Sequence, residues 1–161
     1  MFERRAEVLD LPTILNIYKM YRELPNQVDL NGLVTERHWP SFVGHFLVSK
    51  FSNEEFESSW ATIRTALPKC NLIEARILKY STGSHIPPHQ DSHERESSDL
   101  SVILQLNHPD DYKGGDMMID GQLVEMNQGD MVYYTYDVKH GVMPVKNGSR
   151  YVVNLRCKLV K

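Results

Sequence analysis

The 161-residue chain is 41% apolar and 24% charged with a net charge of −3, a balance that suits a single folded domain over residues 1–161 and gives no general basic field for nucleic acid. Cys70 and Cys157 form no C-x-x-C pair and are too few for a disulfide framework, so zinc-finger chemistry is excluded and a reducing cytoplasm is the expected compartment, with one structural disulfide left open. Glu3, Arg4 and Arg5 charge the N-terminus, and no apolar run is long enough for a signal sequence or a membrane span.

Two helices come first, forming a helical buttress over about 1–70. After Asp10, a candidate N-cap, Leu11, Ile14, Leu15, Tyr18 and Tyr21 recur at helical spacing, with Pro12 tolerated in the first turn and an end near Pro25. Ser52-Asn53-Glu54-Glu55 reads as a capping box, and Phe51 with Phe56 as its hydrophobic staple. That second helix is expected to run to about Leu67, with Phe56, Trp60, Ile63 and Leu67 on a stripe that needs a sheet to cover it.

From Asn71 the hydrophobic period changes to two, and a β core over about 71–161 is expected. Strands are predicted near 72–80, 89–92, 100–107, 116–119, 122–126, 131–136, 138–145 and 149–158, too many for one small open sheet. The fold class is therefore mainly β with N-terminal helices, a jelly-roll double sheet buttressed by helices. The stretch "PDDYKGGD" reads as a hairpin loop.

"SHIPPHQDSHE" places His85, His89 and His93 four apart, which on a helix would stack them. Pro87 and Pro88 forbid that helix, since they lack backbone donors and push their predecessors out of the helical region. In a strand beginning near His89, His89 and Asp91 share a face and Gln90 points away, leaving His85 and His93 as loop residues. By chance alone about 0.4 His-x-Asp pairs are expected in this composition, so the pair needs a third ligand to carry weight. His38, His45 and His108 have no ligand context, whereas His140 stands in "HGVMPVKNGSRYVVNLR".

A two-residue turn at Asn147-Gly148 would put His140 and Arg150 on opposite faces, and a three-residue loop at Lys146-Asn147-Gly148 would pair 144 with 150 and put them on one. The second register is favoured because it sets Tyr151, Val153, Leu155 and Cys157 against the helices, and Arg150, Val152, Asn154 and Arg156 toward a pocket for an anionic ligand. The segment 72–80 divides likewise, Ile73, Ala75 and Ile77 on one side and Glu74, Arg76, Leu78 and Tyr80 on the other. Two imidazoles and a carboxylate are the facial triad that binds ferrous iron and leaves open positions, and a nearby Arg grips a dicarboxylate such as 2-oxoglutarate.

Tyr80-x-x-Gly83, His89-x-Asp91, Gly114-Gly115-Asp116 and His140-x-Val142-x-Pro144-Val145-x-x-Gly148-x-Arg150-Tyr151 follow in order. Over roughly Phe46 to Arg156 the chain resembles the prolyl 4-hydroxylase-like iron(II)/2-oxoglutarate dioxygenases. The resemblance implies a double-stranded β-helix, with His89, Asp91 and His140 on Fe(2+) and Arg150 on the distal carboxylate of 2-oxoglutarate. It also implies Tyr80 hydrogen-bonded to the cosubstrate. Gln105 stands where many protein-hydroxylating relatives carry a tyrosine that touches the cosubstrate, and Asn154 shares the face of Arg150.

O2 as oxidant, ascorbate as an auxiliary reductant, and release of succinate and carbon dioxide follow from the same resemblance, and Asp91 favours hydroxylation over halogenation. The substrate implied is a peptidyl residue such as proline. A free amino acid or other small molecule is the alternative, and two further classes are a non-catalytic metal-containing β-barrel and a cupin-like enzyme without 2-oxoglutarate. The acids Glu94, Glu96 and Asp99 read as a solvated loop beside the site.

Overall fold

The computed structural model describes residues 1–23, 28–29, 46–91 and 98–161. His38, His45, His93, Glu94 and Glu96 lie outside the described residues. In chain order the elements are β1 (Phe2–Arg5), α1 (Leu11–Glu23), β2 (Val28–Asp29), β3 (Phe46–Phe51), α2 (Asn53–Ile63), β4 (Cys70–Tyr80), β5 (Ile86–His89) and β6 (Leu100–Gln105). They continue with β7 (Tyr112–Gly114), β8 (Met117–Ile119), β9 (Gln122–Val124), β10 (Met131–Thr135), β11 (His140–Val142), β12 (Val145–Gly148) and β13 (Arg150–Leu159).

Both helices start as their sequences dictate. Asp10 Oδ1 accepts the Thr13 N–H at 2.9 Å, and Ser52 and Glu55 close a reciprocal capping box while the Phe51 and Phe56 rings stack with centroids 5.6 Å apart. The buried stripe of α1 differs from the expected one. Leu11 and Leu15 are 58% and 57% exposed, and Ile14 and the unpredicted Ile17 are buried, with Tyr18 and Tyr21 packed beside them. Both stripes have helical spacing, and contact with β13, where Tyr18 and Tyr21 meet the edge of Tyr151, selects between them.

The strands form two facing antiparallel sheets and a two-stranded ribbon. The larger sheet has the order β1-β10-β6-β13-β4-β3-β2, the smaller β5-β11-β8-β9, and β12 pairs with β7. Residues of α1 and α2, among them Ile17, Phe56 and Ile63, join Ala75, Ile77, Leu104, Val153 and Leu155 in a core on the outer face of the large sheet. Its inner face contributes Leu78, Tyr80, Ile103, Val132 and Val152 to a second core with Ile86, Met117, Ile119, Val142 and Val145. Fully burying one such aliphatic side chain stabilises the fold by about 1.5–3 kcal/mol.

Several expectations are corrected. His140 and Arg150 do not share a hairpin: β11 pairs with β5 and β8, β12 with β7, and β13 with β4 and β6. The chain switches layers between 142 and 150, and Gly148 has the expected positive φ (73°) without forming the expected turn. The strand predicted from His89 instead ends there, and both prolines lie within it. They are accommodated because β5 is the edge of the smaller sheet.

"PDDYKGGD" is not a hairpin loop either, since it holds a 3-10 turn (Pro109–Asp111) and β7. A bulge in β4 opposite Arg156 and Cys157 reverses the alternation. Ile73, expected on the helix side, is 44% exposed while Leu72 packs there. β1 and β3 have no counterpart among the predicted strands, although β3 completes the wall beside β4. Cys70 and Cys157 are both free thiols.

Candidate metal and cosubstrate site

The smaller sheet and the segment just after β5 bring three donors together. His89 ends β5, Asp91 follows two residues later, and His140 opens β11 directly opposite His89. Nε2 of His89 and of His140 lie 3.5 and 3.4 Å from Asp91 Oδ1, and the ligand atoms of all three residues fall within 4.8 Å of one another.

Each imidazole is oriented from behind. His89 Nδ1 lies 2.9 Å from the Pro87 carbonyl and His140 Nδ1 2.9 Å from the Val138 carbonyl, so each Nδ1 donates away from the site and each Nε2 is turned toward Asp91, where loss of its proton would free a lone pair for a metal. Ser101 Oγ donates to Asp91 Oδ2 at 3.0 Å, and the Asp91 N–H is held by the Tyr136 carbonyl. Gln90, one residue beyond the end of β5, donates to the Asp137 carbonyl at 2.6 Å.

The site's electrostatics suit a cation. Burial alone would raise the pKa of Asp91, but hydrogen bonds from His140, His89 and Ser101 outweigh it and hold the carboxyl well below its usual range. For His89 burial works against the charged form, yet Asp91 and the Pro87 carbonyl prevail and raise its pKa. A metal ion would meet an ionised carboxylate and replace the proton shared in this cluster. The donor set, the tautomers and the supported carboxylate therefore fit a divalent ion with a facial two-His, one-carboxylate set.

Close approach of the backbones makes this geometry achievable. A Cβ at Gly141 would lie 2.6 Å from the Ile86 carbonyl oxygen and 3.0 Å from the Pro88 nitrogen, so only glycine lets β11 lie against the proline-bearing edge strand.

The second half of the site is on the large sheet. Arg150 is only 2% exposed and is held by neutral groups: Nε donates to Gln105 Oε1 at 2.9 Å, Nη1 to the Gly115 carbonyl at 3.1 Å, and Nη2 lies 3.8 Å from Met126 Sδ. No ion pair to Arg150 exists among the described residues. A buried guanidinium with only neutral partners is suited to an anion, which would compensate its desolvation.

Tyr80, directly opposite Arg150 in the register, lies under the guanidinium with its ring centroid 5.7 Å from Cζ. Burial raises the Tyr80 pKa despite the opposing charges of Arg150 and Arg76, so its hydroxyl is a proton donor at neutral pH. Arg150 also borders a cavity of about 270 Å³ with Tyr112, Gly115, Met117 and Met126, and the three candidate metal ligands are not part of its wall.

The remaining candidates divide. Gln105 spends its carboxamide on protein, its Nε2 lying 3.1 Å from the Tyr112 hydroxyl and 3.0 Å from the Asn107 carbonyl, so it braces Arg150 rather than simply lining a pocket. Asn154 Oδ1 accepts from Arg76 Nη2 at 2.6 Å, farther along β13 from Arg150. His85 and His108 stay apart from the donor cluster. Ser101, Tyr112 and Tyr134, whose ring lies 4.4 Å from that of His140, went unpredicted. For Ser101 and Tyr134 the signal existed, since period-two alternation puts Ser101 on the Gln105 face of β6 and Tyr134 pairs with Ser101.

Residues 75–155, half of the chain, match the 2OG-Fe(II) oxygenase superfamily, and these limits enclose Tyr80, all three candidate metal ligands and Arg150. The chain belongs to that superfamily.

Among curated relatives, a PKHD-type hydroxylase of Pseudomonas putida is 33% identical over 123 residues, which cover 67% of this chain and 54% of the relative. The chain spans about half the length of the curated relatives it matches. A prolyl-4-hydroxylase structure from Pseudomonas putida superposes with a TM-score of 0.70 at 17% identity, covering 99% of this chain and 93% of that one. A 2OG-Fe(II) oxygenase family oxidoreductase from Burkholderia pseudomallei gives 0.75 at 13% identity, over 98% and 85%. At these identities the likeness is one of fold, and the fold is the double-stranded β-helix of this superfamily. No helix among the described residues is long and apolar enough to cross a membrane.

Proposed function

We propose that this chain is an iron(II)- and 2-oxoglutarate-dependent dioxygenase that hydroxylates an unactivated C–H bond of an amino-acid residue, peptidyl as in proline or free. The observation that carries the reading is the buried Arg150, surrounded by neutral acceptors, in the same fold that assembles His89, Asp91 and His140. A metal-containing barrel without turnover has no need of a buried anion site, and a cupin-like enzyme without 2-oxoglutarate has none either.

His89, Asp91 and His140 would hold the iron, which when bound supplies dioxygen activation coupled to conversion of 2-oxoglutarate into succinate and carbon dioxide. The chain's own residues bind and orient. Arg150 takes the distal carboxylate through a charge-assisted contact worth about 1.5–3 kcal/mol, with Gln105 and the Gly115 carbonyl fixing the guanidinium in advance. Tyr80 offers a hydroxyl to the cosubstrate from the facing position. The apolar residues Leu78, Ile103, Val132 and Val152 keep this inner wall dry, which strengthens both contacts. Asn154, a further candidate for the cosubstrate, is buried and accepts from Arg76.

Ascorbate as reductant and a cytoplasmic location belong to the same proposal, the latter supported by the two free thiols. The substrate reading draws on the prolyl hydroxylase fold neighbours. Succinate formation by the purified chain with iron(II), ascorbate and 2-oxoglutarate tests the reading. Neither binding nor consumption of 2-oxoglutarate by the iron-loaded chain would refute it.

A further inference from the structure

The inner face of the large sheet carries a second basic group that 2-oxoglutarate recognition leaves unused. Register places Arg150 opposite Tyr80, Asn154 opposite Arg76, and Arg156 opposite both Glu74 and Ser101. Ser101 is the residue whose hydroxyl holds Asp91. Arg156 therefore stands beside the candidate metal ligands, six positions along β13 from Arg150.

The two ends of this row differ in access. Arg150 is 2% exposed, whereas the side chains of Arg76, Asp91 and His89 are 13%, 15% and 27% exposed and Arg156 is half-buried. Through Ser101 and Asp91 the donor cluster lies at the Arg156 end of the row, away from Arg150. Arg76 is fixed there by Asn154 at 2.6 Å and by Glu74 at 3.6 Å, and Glu74 also takes Lys50 at 2.8 Å. Burial and the neighbouring Arg76 charge push Arg156 down to about 10, which leaves it cationic at neutral pH.

We infer that Arg156, with Arg76 behind it, is the recognition site for a carboxylate on the substrate to be hydroxylated, so that the substrate is a free amino acid or the C-terminal residue of a peptide. The planar Arg156 guanidinium beside the donor cluster matches carboxylate geometry, as Arg150 does at the other end of the row, and Arg76 adds positive charge behind it. A carboxylate held there brings the carbons next to it up to the metal ligands. An internal peptidyl residue, whose carboxyl is an amide, lacks the charge and the second acceptor oxygen that a guanidinium fork matches.

The inference rests on the oxygenase reading, and one set of titrations separates the two. Under anaerobic conditions the full chain with iron(II) and 2-oxoglutarate shows the visible charge-transfer band of a chelated 2-oxo acid, and substrate binding perturbs that band without turnover. The probes are the twenty L-amino acids, each paired with its amide, and a tripeptide ending in proline as acid and as C-terminal amide.

At least one acid is expected to perturb the band at concentrations where its amide does not. Arg156→Gln should weaken that binding by about tenfold to a hundredfold, and Arg156→Lys should recover part of it, both with an unchanged 2-oxoglutarate titration. A response from free acids alone assigns the carboxylate to a free amino acid, and one from the peptide acid alone to a chain terminus. No response to any acid, equal responses of acid and amide, or unchanged affinity in Arg156→Gln overturns the carboxylate site. Absence of the band in the unsubstituted protein overturns the oxygenase reading instead.

Discussion

Arg150 Nε donates to Gln105 Oε1 at 2.9 Å across the β13–β6 pair, so the guanidinium is held by a neutral carboxamide where a carboxylate would have neutralised it. Gln105→Glu keeps the shape and adds the charge, and competes directly with the dicarboxylate. The dissociation constant for 2-oxoglutarate measured by calorimetry should rise at least about tenfold, with metal affinity unchanged. An unaltered constant would mean that Gln105 and Arg150 are not coupled in binding.

Removing the cation itself separates the two halves of the site. Arg150→Ala should abolish measurable 2-oxoglutarate binding while iron(II) or manganese(II) affinity stays within about twofold, since no metal donor contacts Arg150 and distant sites act independently. Equal loss of both would refute the assignment of roles.

In the proposed site Ser101 would act on the metal through Asp91. Ser101→Ala deletes the hydrogen bond at 3.0 Å to Oδ2 and is expected to cost about tenfold in metal affinity, the lower end for loss of a supporting bond to a ligand. Competition against a colorimetric chelator measures it, and no change would show that the histidines alone orient the carboxylate.

Gly141→Ala tests the approach of β11 to the proline edge. The added methyl would meet the Ile86 carbonyl oxygen at 2.6 Å, displacing the strand that carries His89 from the one that carries His140. Thermal unfolding should show a loss of about 1–3 kcal/mol together with weakened metal binding. A variant that binds metal normally would place the tolerance for movement in β5.

Glu74 sets an acid limb of stability. Burial alone would raise its pKa, but the Lys50 hydrogen bond and the charges of Arg76, Lys50 and Arg156 lower it below 4.5. A carboxyl depressed in the folded state contributes stability above its unfolded value and loses it as pH falls through the folded value. Denaturant titrations of the metal-free protein below pH 4.5 should therefore lose stability less steeply in Glu74→Gln than in the parent chain. Parallel curves would show that Glu74 has the same pKa in both states.

Local chemistry determined what the sequence determined. The Ser52 capping box, the Phe51–Phe56 staple, the ban that Pro87 and Pro88 place on a histidine-stacked helix, and the alternation of Arg150, Val152, Asn154 and Arg156 against Val153 and Leu155 all depend on neighbours a few residues apart.

Long-range pairing decided the rest. Whether 140–145 returns onto 150–158 or crosses to the other layer turns on β7 and β5 being available as partners, which the Asn147-Gly148 stretch cannot encode. The β4 bulge moved Ile73 outward for the same reason, its phase being set by the partner strand. His140 and Arg150 thus stand on facing sheets, and the proposed site that joins them exists only once both inner faces are buried against each other.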